Sequence, residues 1–337
     1  MKMIKIADRL ELIQRLGNYL LEDGHALEQA RQLAWVRNPW FIPEFTRYAI
    51  RQICLQFLVP ENLRSWMDDY PDADFGEKDR TLGIVMAGNI PLAGFHDFLC
   101  GFISGYRMRI KCASRDDVLL PHCIDQLERW DPSIGEQIMT TDLLKGCHAY
   151  IATGSNDSSR YFDYYFSGYP HIIRRNRSSA AILDGHESPE DLQGLADDIM
   201  RYFGLGCRNV TQVFVPPGYD FIPLLEALDR YRYLADHGRY RNNLDYQLAL
   251  LTLNGIPYLS RPNLLVVKNP SLFSPVGVLH YEIYEDMDLL QARLKKQQEI
   301  QCLIGKGGIR FGTSQQPALD QYADGVDTLA FLTRPPS

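Results

Sequence analysis

The sequence predicts an α/β fold with a doubly wound parallel-sheet domain and a smaller α/β domain. From residue 82 short apolar strands alternate with helices, which is typical of parallel βαβ units joined by right-handed crossovers. Beyond Cys207 a second set of strands and helices begins, enough for a second sheet. With 337 residues and 45% hydrophobic side chains, the chain can bury one large core or two closely joined domains.

The elements follow from hydrophobic spacing. The first seventy residues are predicted to be helical, because apolar residues recur at helical spacing over 10–21 and 43–57. The acidic stretch 68–76 contains Pro and Gly, which favours a surface connection. The predicted parallel sheet comprises strand 82–86, helix 92–105, strand 108–111, helix 116–130, strand 149–152, helix 158–166, strand 180–183 and helix 189–203, opened by Ser188. The later set comprises strand 210–215, helices 221–235 and 244–253, strands 264–267 and 276–284, and helix 289–300.

Composition excludes several classes of function. The net charge is −7 with both signs interspersed and no basic block, so a nucleic-acid partner is not expected. The first residues carry charge too early for a signal peptide, so we expect a cytoplasmic location. The apolar stretch 82–106 is interrupted by Asn89, Pro91, His96 and Asp97, and its uninterrupted part is too short to span a membrane.

Cys207 is the candidate nucleophile. It follows a glycine-flanked turn and precedes a β-branched run, where a helix ends and a strand begins, so its thiol and backbone N–H could face a cleft. The alternative is that it is one of seven buried thiols. The cysteines are odd in number, with no C-x-x-C and no zinc spacing, so we expect reduced thiols and no metal site.

Three further candidates lie at strand ends of the parallel sheet, where open α/β sheets bind ligands. Asn89, in the turn after the first strand, can point its amide N–H into the cleft, although turn chemistry alone also explains an Asn there. Lys111 ends the second strand and could reach a ribose or phosphate, or could simply be solvated. The segment Thr153-Gly154-Ser155 closes a later strand and leads into a helix, as a phosphate or nicotinamide-ribose nest would.

Together these segments resemble the motifs of the aldehyde dehydrogenase superfamily, in that family's order. The matching segments are Gly88-Asn89-Ile90-Pro91, Ile110-Lys111, Thr153-Gly154-Ser155, Gly204-Leu205-Gly206-Cys207 and Phe273-Ser274-Pro275-Val276. Within the superfamily the chain is most similar to the acyl-CoA reductases of the LuxC type, and the segment from Pro317 to Asp327 resembles that group too. The chain is shorter than typical members of either group.

The resemblance implies an aldehyde-dehydrogenase-like fold and a division of the chain. Residues 1–80 would be the helical part of the cofactor domain and 81–205 its dinucleotide-binding part. Residues 206–305 would form the catalytic domain with the cysteine nucleophile, and 306–337 a C-terminal return segment. It also implies a cysteine acyl-enzyme, a nicotinamide cofactor and a homo-oligomer, which could act beside acyl-activating or acyl-transferring enzymes.

Two glutamates of the superfamily pattern are absent. The general base would lie in the strand before residue 179, where residues 171–178 contain arginines and no carboxylate. The ribose-binding glutamate before the Phe-Gly-Pro-Val motif is replaced by Ser271-Leu272. In the superfamily that the chain resembles, a carboxylate commonly follows the cofactor lysine by three residues. Here Ser114 stands at that position with Arg115 beside it, which predicts NADPH, with NADH as an alternative.

The predicted reaction is reduction of an acyl-CoA, expected to be a fatty acyl-CoA, to the aldehyde. Cys207 would attack the thioester, and Asn89 with the Cys207 N–H would stabilise the oxyanion. Lys111, Ser114, Arg115, Gly154 and Ser155 would bind the cofactor. Two alternatives stay open: an acyl-phosphate reductase of the same fold, and a catalytically degenerate subunit with a binding or assembly role.

Overall fold

The computed structural model describes residues 4–76, 78–154 and 156–333. The chain forms two compact units, one made of residues 1–176 and 317–337, the other of residues 177–316. In the described ranges no helix is both long enough and apolar enough to cross a membrane.

The predicted helical character of the first seventy residues is confirmed. Four helices occupy this part of the first unit: α1 (Ile6–Glu22), α2 (His25–Arg37), α3 (Pro43–Phe57) and α4 (Pro60–Asp68). Pro43 and Pro60 stand in the first turns of α3 and α4, where a missing N–H leaves no hydrogen bond unmade. Helix α1 buries Leu12, Ile13 and Leu16 in the core of this unit.

The first unit contains a five-stranded sheet in which every pairing is parallel. Its strands and following helices are β1 (Thr81–Val85), α5 (Phe95–Ile103), β2 (Arg107–Lys111), α6 (Leu119–Trp130), α7 (Ile134–Gln137), β3 (Ile138–Thr140), β4 (Ala149–Thr153), α8 (Asn156–Phe166) and β5 (His171–Arg174). The strand order is β3-β2-β1-β4-β5, so the chain reverses direction across the sheet between β1 and β4. Such a switch point leaves a crevice at the carboxyl ends of the two strands.

The second unit contains a six-stranded sheet of order β11-β6-β7-β10-β9-β8. Its elements are β6 (Ser178–Ile182), α9 (Pro189–Met200), β7 (Val210–Val215), α10 (Ile222–Leu228), α11 (Gly238–Leu253), β8 (Tyr258–Arg261), β9 (Leu264–Lys268), β10 (Val278–Ile283), α12 (Met287–Leu294) and β11 (Ile300–Gly305). Only the edge strand β8 is antiparallel to its neighbour among the described strands. Strand β7 matches its predicted range of 210–215.

The predicted domain boundary after residue 205 differs from the boundary between the compact units, which lies between Asn176 and Arg177. Strand β6 pairs with β7 and β11 rather than with the first sheet, so β6 and α9 belong to the second unit. The sequence pattern of a short buried strand does not show to which sheet it belongs, because the strands that it pairs with are distant in the sequence. The predicted C-terminal boundary, after residue 305, also differs from the observed one, because the second unit continues to residue 316.

Several predicted helices are shorter than their predicted ranges. The helix predicted over 189–203 begins at Pro189 behind a capping box formed by Ser188 and Asp191, but ends at Met200 because Tyr202 and Phe203 have left-handed backbone angles. The helix predicted over 289–300 ends at Leu294, and Ile300 begins β11. The pairing of β11 with β6 explains this difference, because it supplies hydrogen bonds that no local pattern reveals.

The C-terminal segment of the first unit is held by buried polar groups. It includes α13 (Thr328–Thr333). Arg174, at the end of β5, forms a buried ion pair with Asp97 of α5 at 2.7 Å and donates to Thr328 Oγ1 at 2.7 Å. Tyr322 accepts a 2.7 Å hydrogen bond from the Trp66 indole. The segment is therefore an integral part of the first unit.

Candidate functional site

The carboxyl edge of the first sheet gathers the predicted cofactor residues. Val85, at the end of β1, is in register with Lys111 of β2 on one side and with Ala152 of β4 on the other. The Met86 N–H continues this ladder to the Lys111 carbonyl at 2.9 Å. The Asn89 turn, Lys111 and Gly154 therefore follow three adjacent strand ends at the switch point.

The Asn89 turn is fixed by Asp116, a residue that the sequence did not single out. The Asp116 carboxylate accepts the Leu92 N–H at 2.8 Å, and Leu92 has a left-handed φ of 57°. A Cβ added at Gly88 would lie 2.6 Å from Ala113, so the turn and the loop after β2 are in close approach. Asn89 itself is exposed. The Asp116 carboxylate and the close approach of Gly88 to Ala113 therefore restrain the turn that presents Asn89.

Burial dominates the electrostatics of Asp116. Its second oxygen has no hydrogen-bond partner in the described part of the chain, and burial raises the pKa of the carboxyl to about 7. The neighbouring Asp117 pairs instead with Arg37 of α2 at 2.7 Å.

Lys111, Ser114 and Arg115 lie exposed at this edge. The alternative to a ligand-binding role for Arg115 is an ion pair with its neighbour Asp116 or Asp117. Neither pair forms, because the Asp116 carboxylate accepts the Leu92 N–H and Asp117 forms an ion pair with Arg37. The exposed guanidinium of Arg115 is therefore available to an anion.

Gly154 directly follows β4, at the position where the sequence predicts the loop towards α8. Its N–H donates to the Arg174 carbonyl at 3.3 Å. A Cβ at Gly154 would lie 2.9 Å from both Phe162 and Ser158, so helix α8 approaches the loop too closely for a larger residue. Ser155, the other predicted residue of this loop, lies outside the described residues.

In the second unit, Cys207 is the second residue of a tight turn before β7. The Asn209 N–H donates to the Gly206 carbonyl at 3.0 Å, which closes the turn. Ser179 Oγ of β6 donates to the Cys207 carbonyl at 3.0 Å. Because β7 runs parallel to β6 and β10, the turn lies at the amino-terminal edge of this sheet. Cys207 is half-buried.

The backbone leading to this turn is strained. Tyr202, Phe203 and Gly204 have φ values of 53°, 57° and 73°, and for the two aromatic residues this conformation costs about 1–2 kcal/mol each. Packing holds them there, since both are buried and the Phe203 ring lies 4.8 Å from His237 and 5.4 Å from Tyr240. Strained backbone of this kind is concentrated at functional sites.

The other cysteines are in different environments. The buried cysteines are Cys54, Cys100, Cys123, Cys147 and Cys302. Cys112 is the other half-buried cysteine, and burial raises the pKa of its thiol to about 11. Arg208, next to Cys207, donates to Cys302 Sγ at 3.0 Å.

The Phe273–Val276 motif lies beside the cysteine turn. One small cavity of the second unit is lined by residues of both predicted motifs, among them Phe203, Gly204, Ser274, Pro275 and Val276, so the structure brings the two motifs together. The Ser274 hydroxyl donates to the Val278 carbonyl at 2.6 Å. The motif therefore packs under the turn.

A larger cavity of about 480 Å³ lies at the opposite, carboxyl-terminal edge of the second sheet. Its carboxylates satisfy local partners: Glu187 accepts the Asp184 N–H, Asp191 caps α9, and Asp184 pairs with Lys306 at 3.1 Å. In the described ranges no cluster of three or more His, Cys, Asp and Glu side chains could hold a metal ion.

Comparison with known proteins identifies the architecture. No protein-family model and no curated protein matches the sequence. The NAD⁺ complex of a Bacillus cereus aldehyde dehydrogenase matches 88% of this chain and 70% of its own, with a TM-score of 0.61 and 13% identity. An NAD⁺-bound Mycobacterium tuberculosis aldehyde dehydrogenase matches 86% and 70%, at a TM-score of 0.60 and 13% identity. The chain has the aldehyde dehydrogenase fold.

Aldehyde dehydrogenase 21 of Physcomitrella patens, solved with its product succinate, has the same fold. It matches 90% of this chain and 74% of its own, with a TM-score of 0.63 and 11% identity. The aldehyde dehydrogenase fold confirms the predicted fold class, including the doubly wound parallel sheet and the second α/β sheet. Within this fold, Cys207 belongs to the second unit and the predicted cofactor residues to the first.

The site residues that sequence reasoning missed are Asp116, Ser179 and Asn209. Each acts on backbone groups of a turn rather than on a ligand. Asn209 carried a weak signal, since Asn is common in turns and stands two residues after Cys207. Asp116 and Ser179 carried none, because their partners are distant in the sequence.

Proposed function

We propose that this chain is an NAD(P)H-dependent acyl-CoA reductase of the LuxC type, acting on a fatty acyl-CoA through a Cys207 thioester. The observation that carries the proposal is the fixed turn that holds Cys207. The carbonyls of the peptide groups before and after Cys207 accept hydrogen bonds from the Asn209 N–H and the Ser179 hydroxyl. This arrangement suits a nucleophile, because it fixes the direction of the thiol before substrate arrives.

Acylation requires only residues of this chain. The Cys207 thiolate forms a bond to the thioester carbonyl carbon, and the tetrahedral intermediate collapses with cleavage of the carbon–sulfur bond to CoA. The predicted oxyanion donors are the Cys207 N–H and the Asn89 amide, a role whose loss costs about 3 kcal/mol in the barrier. A reduced nicotinamide, when bound, would supply the hydride that converts the acyl group to an aldehyde.

The carboxyl edge of the first sheet fits such a cofactor. The edge lies at a switch point, where dinucleotides bind in doubly wound sheets. Gly154 leaves room where a Cβ would meet Ser158 and Phe162. Lys111 and Arg115 are exposed cations, and Ser114 stands where a carboxylate would repel a 2′-phosphate. These features support binding of NADPH, with NADH as the alternative.

The residues of strand β5 favour reduction of the acyl-enzyme over its hydrolysis. A general base that activates water contributes about 10²–10⁴ in rate. Strand β5 carries no carboxylate, and its Arg174 is committed to the buried pair with Asp97. We therefore expect the thioester to persist until hydride or free CoA reaches it.

Two alternatives differ from this proposal in specific ways. An acyl-phosphate reductase would use the same cysteine and cofactor and differ only in the leaving group. A degenerate subunit would bind ligands without turnover, and the two missing glutamates favour it. The fixed Cys207 turn and the exposed Lys111 and Arg115 favour an active enzyme instead.

A substrate panel tests the proposal. NADPH and NADH oxidation would be followed with acyl-CoAs of different chain length and with the matching acyl phosphates. The proposal predicts that the unmodified protein turns over acyl-CoA and that the Cys207→Ala variant does not. The Cys112→Ala variant, changed at the other half-buried cysteine, should keep this activity. Turnover confined to acyl phosphates, or activity retained by Cys207→Ala, would contradict it.

We also propose that the chain forms a homo-oligomer through the β8 edge of the second sheet. Exposed apolar side chains are concentrated on α11, on the following turn and on β8, at Leu250, Leu253, Ile256, Tyr258 and Leu259. An exposed edge strand can pair with a second copy of itself. Sedimentation should detect a dimer that Leu253→Asp weakens, and a concentration-independent monomer would refute this interface.

The predicted cytoplasmic location and the absence of a nucleic-acid partner stay predictions.

A further inference from the structure

The side chain of Asn209 is completely buried directly behind the Cys207 turn. Its Oδ1 accepts the Gly206 N–H at 2.8 Å. Its Nδ2 donates to the carbonyls of Asp198 at 3.0 Å and Arg201 at 2.8 Å. The orientation of the amide is settled by these partners, because only the NH₂ group can face carbonyls and only the oxygen can face an N–H.

This amide joins two pieces of backbone that would otherwise lack partners. The carbonyls at the end of α9 have no further helical turn to bond with. The Gly206 N–H belongs to the Leu205–Gly206 peptide group, one peptide group before the one that joins Gly206 to Cys207. A single side chain therefore holds the end of the helix and the turn, across the left-handed segment Tyr202–Gly204.

The turn has a second support on its other side. Ser179 Oγ donates to the Cys207 carbonyl at 3.0 Å and accepts the Cys302 N–H at 3.1 Å. The Ser179 N–H donates to the Asn209 carbonyl at 3.1 Å. With Asn209, these bonds restrain the peptide groups before and after Cys207 without using its thiol.

We infer that Asn209 is a positioning residue, which fixes the direction of the Cys207 thiol by bonding the turn to the end of α9. The inference rests on the proposed role of Cys207 as nucleophile. A displacement of a reacting group by about 1 Å can reduce a rate about 10²-fold. Loss of the amide should therefore affect kcat far more than KM.

The second unit offers a matched control. Asn263 is also completely buried, donates to the Leu228 carbonyl at 2.9 Å, and accepts the Tyr240 hydroxyl on its backbone carbonyl at 2.6 Å. It lies in the turn between β8 and β9, at the other end of the strand order from β6. Its Oδ1 has no hydrogen-bond partner in the described part of the chain, and its backbone carbonyl, which binds Tyr240, is kept in an alanine variant. Asn263→Ala therefore removes a buried amide whose hydrogen bond is to Leu228 and not to the Cys207 turn.

The experiment measures alkylation of Cys207 by iodoacetamide in the full chain, with the modified peptide identified by mass, and kcat and KM alongside. All variants are compared below their unfolding temperatures. Asn209→Ala should lower kcat about 10²-fold with a smaller change in KM, as a misplaced nucleophile would. Asn263→Ala should leave the alkylation rate and kcat close to those of the unmodified protein.

Asn209→Asp adds a signature that a purely structural role would not give. Its neutral carboxylic acid can donate to one carbonyl and accept from Gly206, whereas the ionised carboxylate faces carbonyl oxygens and repels them. The ratio of Cys207 alkylation rates, variant to unmodified protein, should approach one at low pH and depart from it as pH rises. If either Asn209 variant unfolds under the assay conditions, the Cys207 alkylation rates of Asn209→Ser and Asn263→Ser are compared instead.

A ratio that does not change with pH, together with Asn209 variants that match the Asn263 variants, would overturn the inference. Alkylation requires neither acyl-CoA nor cofactor. The alkylation result is therefore independent of whether the acyl-CoA reductase proposal holds, whereas the kcat and KM measurements depend on it.

Discussion

The carboxylate of Asp116 accepts the N–H of Leu92 at 2.8 Å, which joins the loop after β2 to the turn that carries Asn89. The contact links the predicted cofactor edge to the predicted oxyanion donor within one unit. It also places a carboxyl in an apolar environment, and burial raises the pKa of that carboxyl to about 7.

The raised pKa of Asp116 predicts how stability depends on pH. Between its ordinary value of 3.8 and about 7, the folded state keeps a proton that the unfolded state has released. The free energy of unfolding should therefore fall as pH rises through this window. Asp116→Asn keeps an oxygen for the Leu92 N–H and removes the charge, so it should flatten this slope in urea unfolding.

The adjacent Asp117 provides the control, because it lies in the same loop and pairs with Arg37 near the surface. Asp117→Asn should change the pH slope much less than Asp116→Asn, because burial is the main cause of the raised pKa of Asp116 and the Asp117 charge only a smaller one. An Asp116→Asn variant with the slope of the unmodified protein would show that this carboxyl does not titrate in the predicted window.

Arg115 is predicted to bind the 2′-phosphate of NADPH. Loss of one charge-assisted hydrogen bond of about 1.5–3 kcal/mol corresponds to about tenfold or more in affinity. Arg115→Ala should therefore raise the Kd for NADPH by about that factor and leave the Kd for NADH unchanged, as measured by cofactor fluorescence. Arg107→Ala is the control, since Arg107 begins β2 at the opposite end from Lys111.

Two outcomes would remove this assignment. One is an Arg115→Ala variant with unchanged affinity for NADPH. The other is a clear preference of the unmodified protein for NADH.

The Arg174–Asp97 pair is predicted to contribute strongly to the stability of the first unit. Both side chains are nearly inaccessible, at 4% and 8% of full exposure. Removing one partner of a buried pair leaves an uncompensated charge and costs about 3–5 kcal/mol. Arg174→Met should lower the free energy of unfolding by that amount. The neighbouring Arg175 pairs with Asp163 at the surface, so Arg175→Met should cost less than about 1 kcal/mol.

Equal effects of the two substitutions would contradict the prediction. A large effect confined to Arg174→Met would agree with the role of this pair in holding the C-terminal segment through Thr328.

Local pattern located three strands of the first sheet, β1, β2 and β4, and the edge at which they end. It missed the two edge strands β3 and β5, which have only three and four residues. The strand ends that carry Lys111 and Gly154 lie where the alternation of strands and helices places them. Strand β6 could not be assigned in the same way. Its sequence, Ser178–Ile182, suits any buried parallel strand, and only its pairing with β7 and β11 places it in the second unit.

The sequence predicted the position of the cysteine turn but not the contacts that hold it. Aromatic residues do not signal left-handed backbone, so Tyr202 and Phe203 extended the predicted helix. Their conformation depends on His237, Tyr240 and Asn209, which come later in the chain. Tertiary contacts of this kind override local preference and leave no periodic trace in the sequence.

The most direct test of the central claim is to mix the protein with acyl-CoA in the absence of reduced cofactor. The account predicts one equivalent of CoA released in a burst and an acyl mass shift on the peptide that contains Cys207, lasting for many turnover times. Labelling of another cysteine, no labelling, or rapid and continuing release of free fatty acid would contradict it.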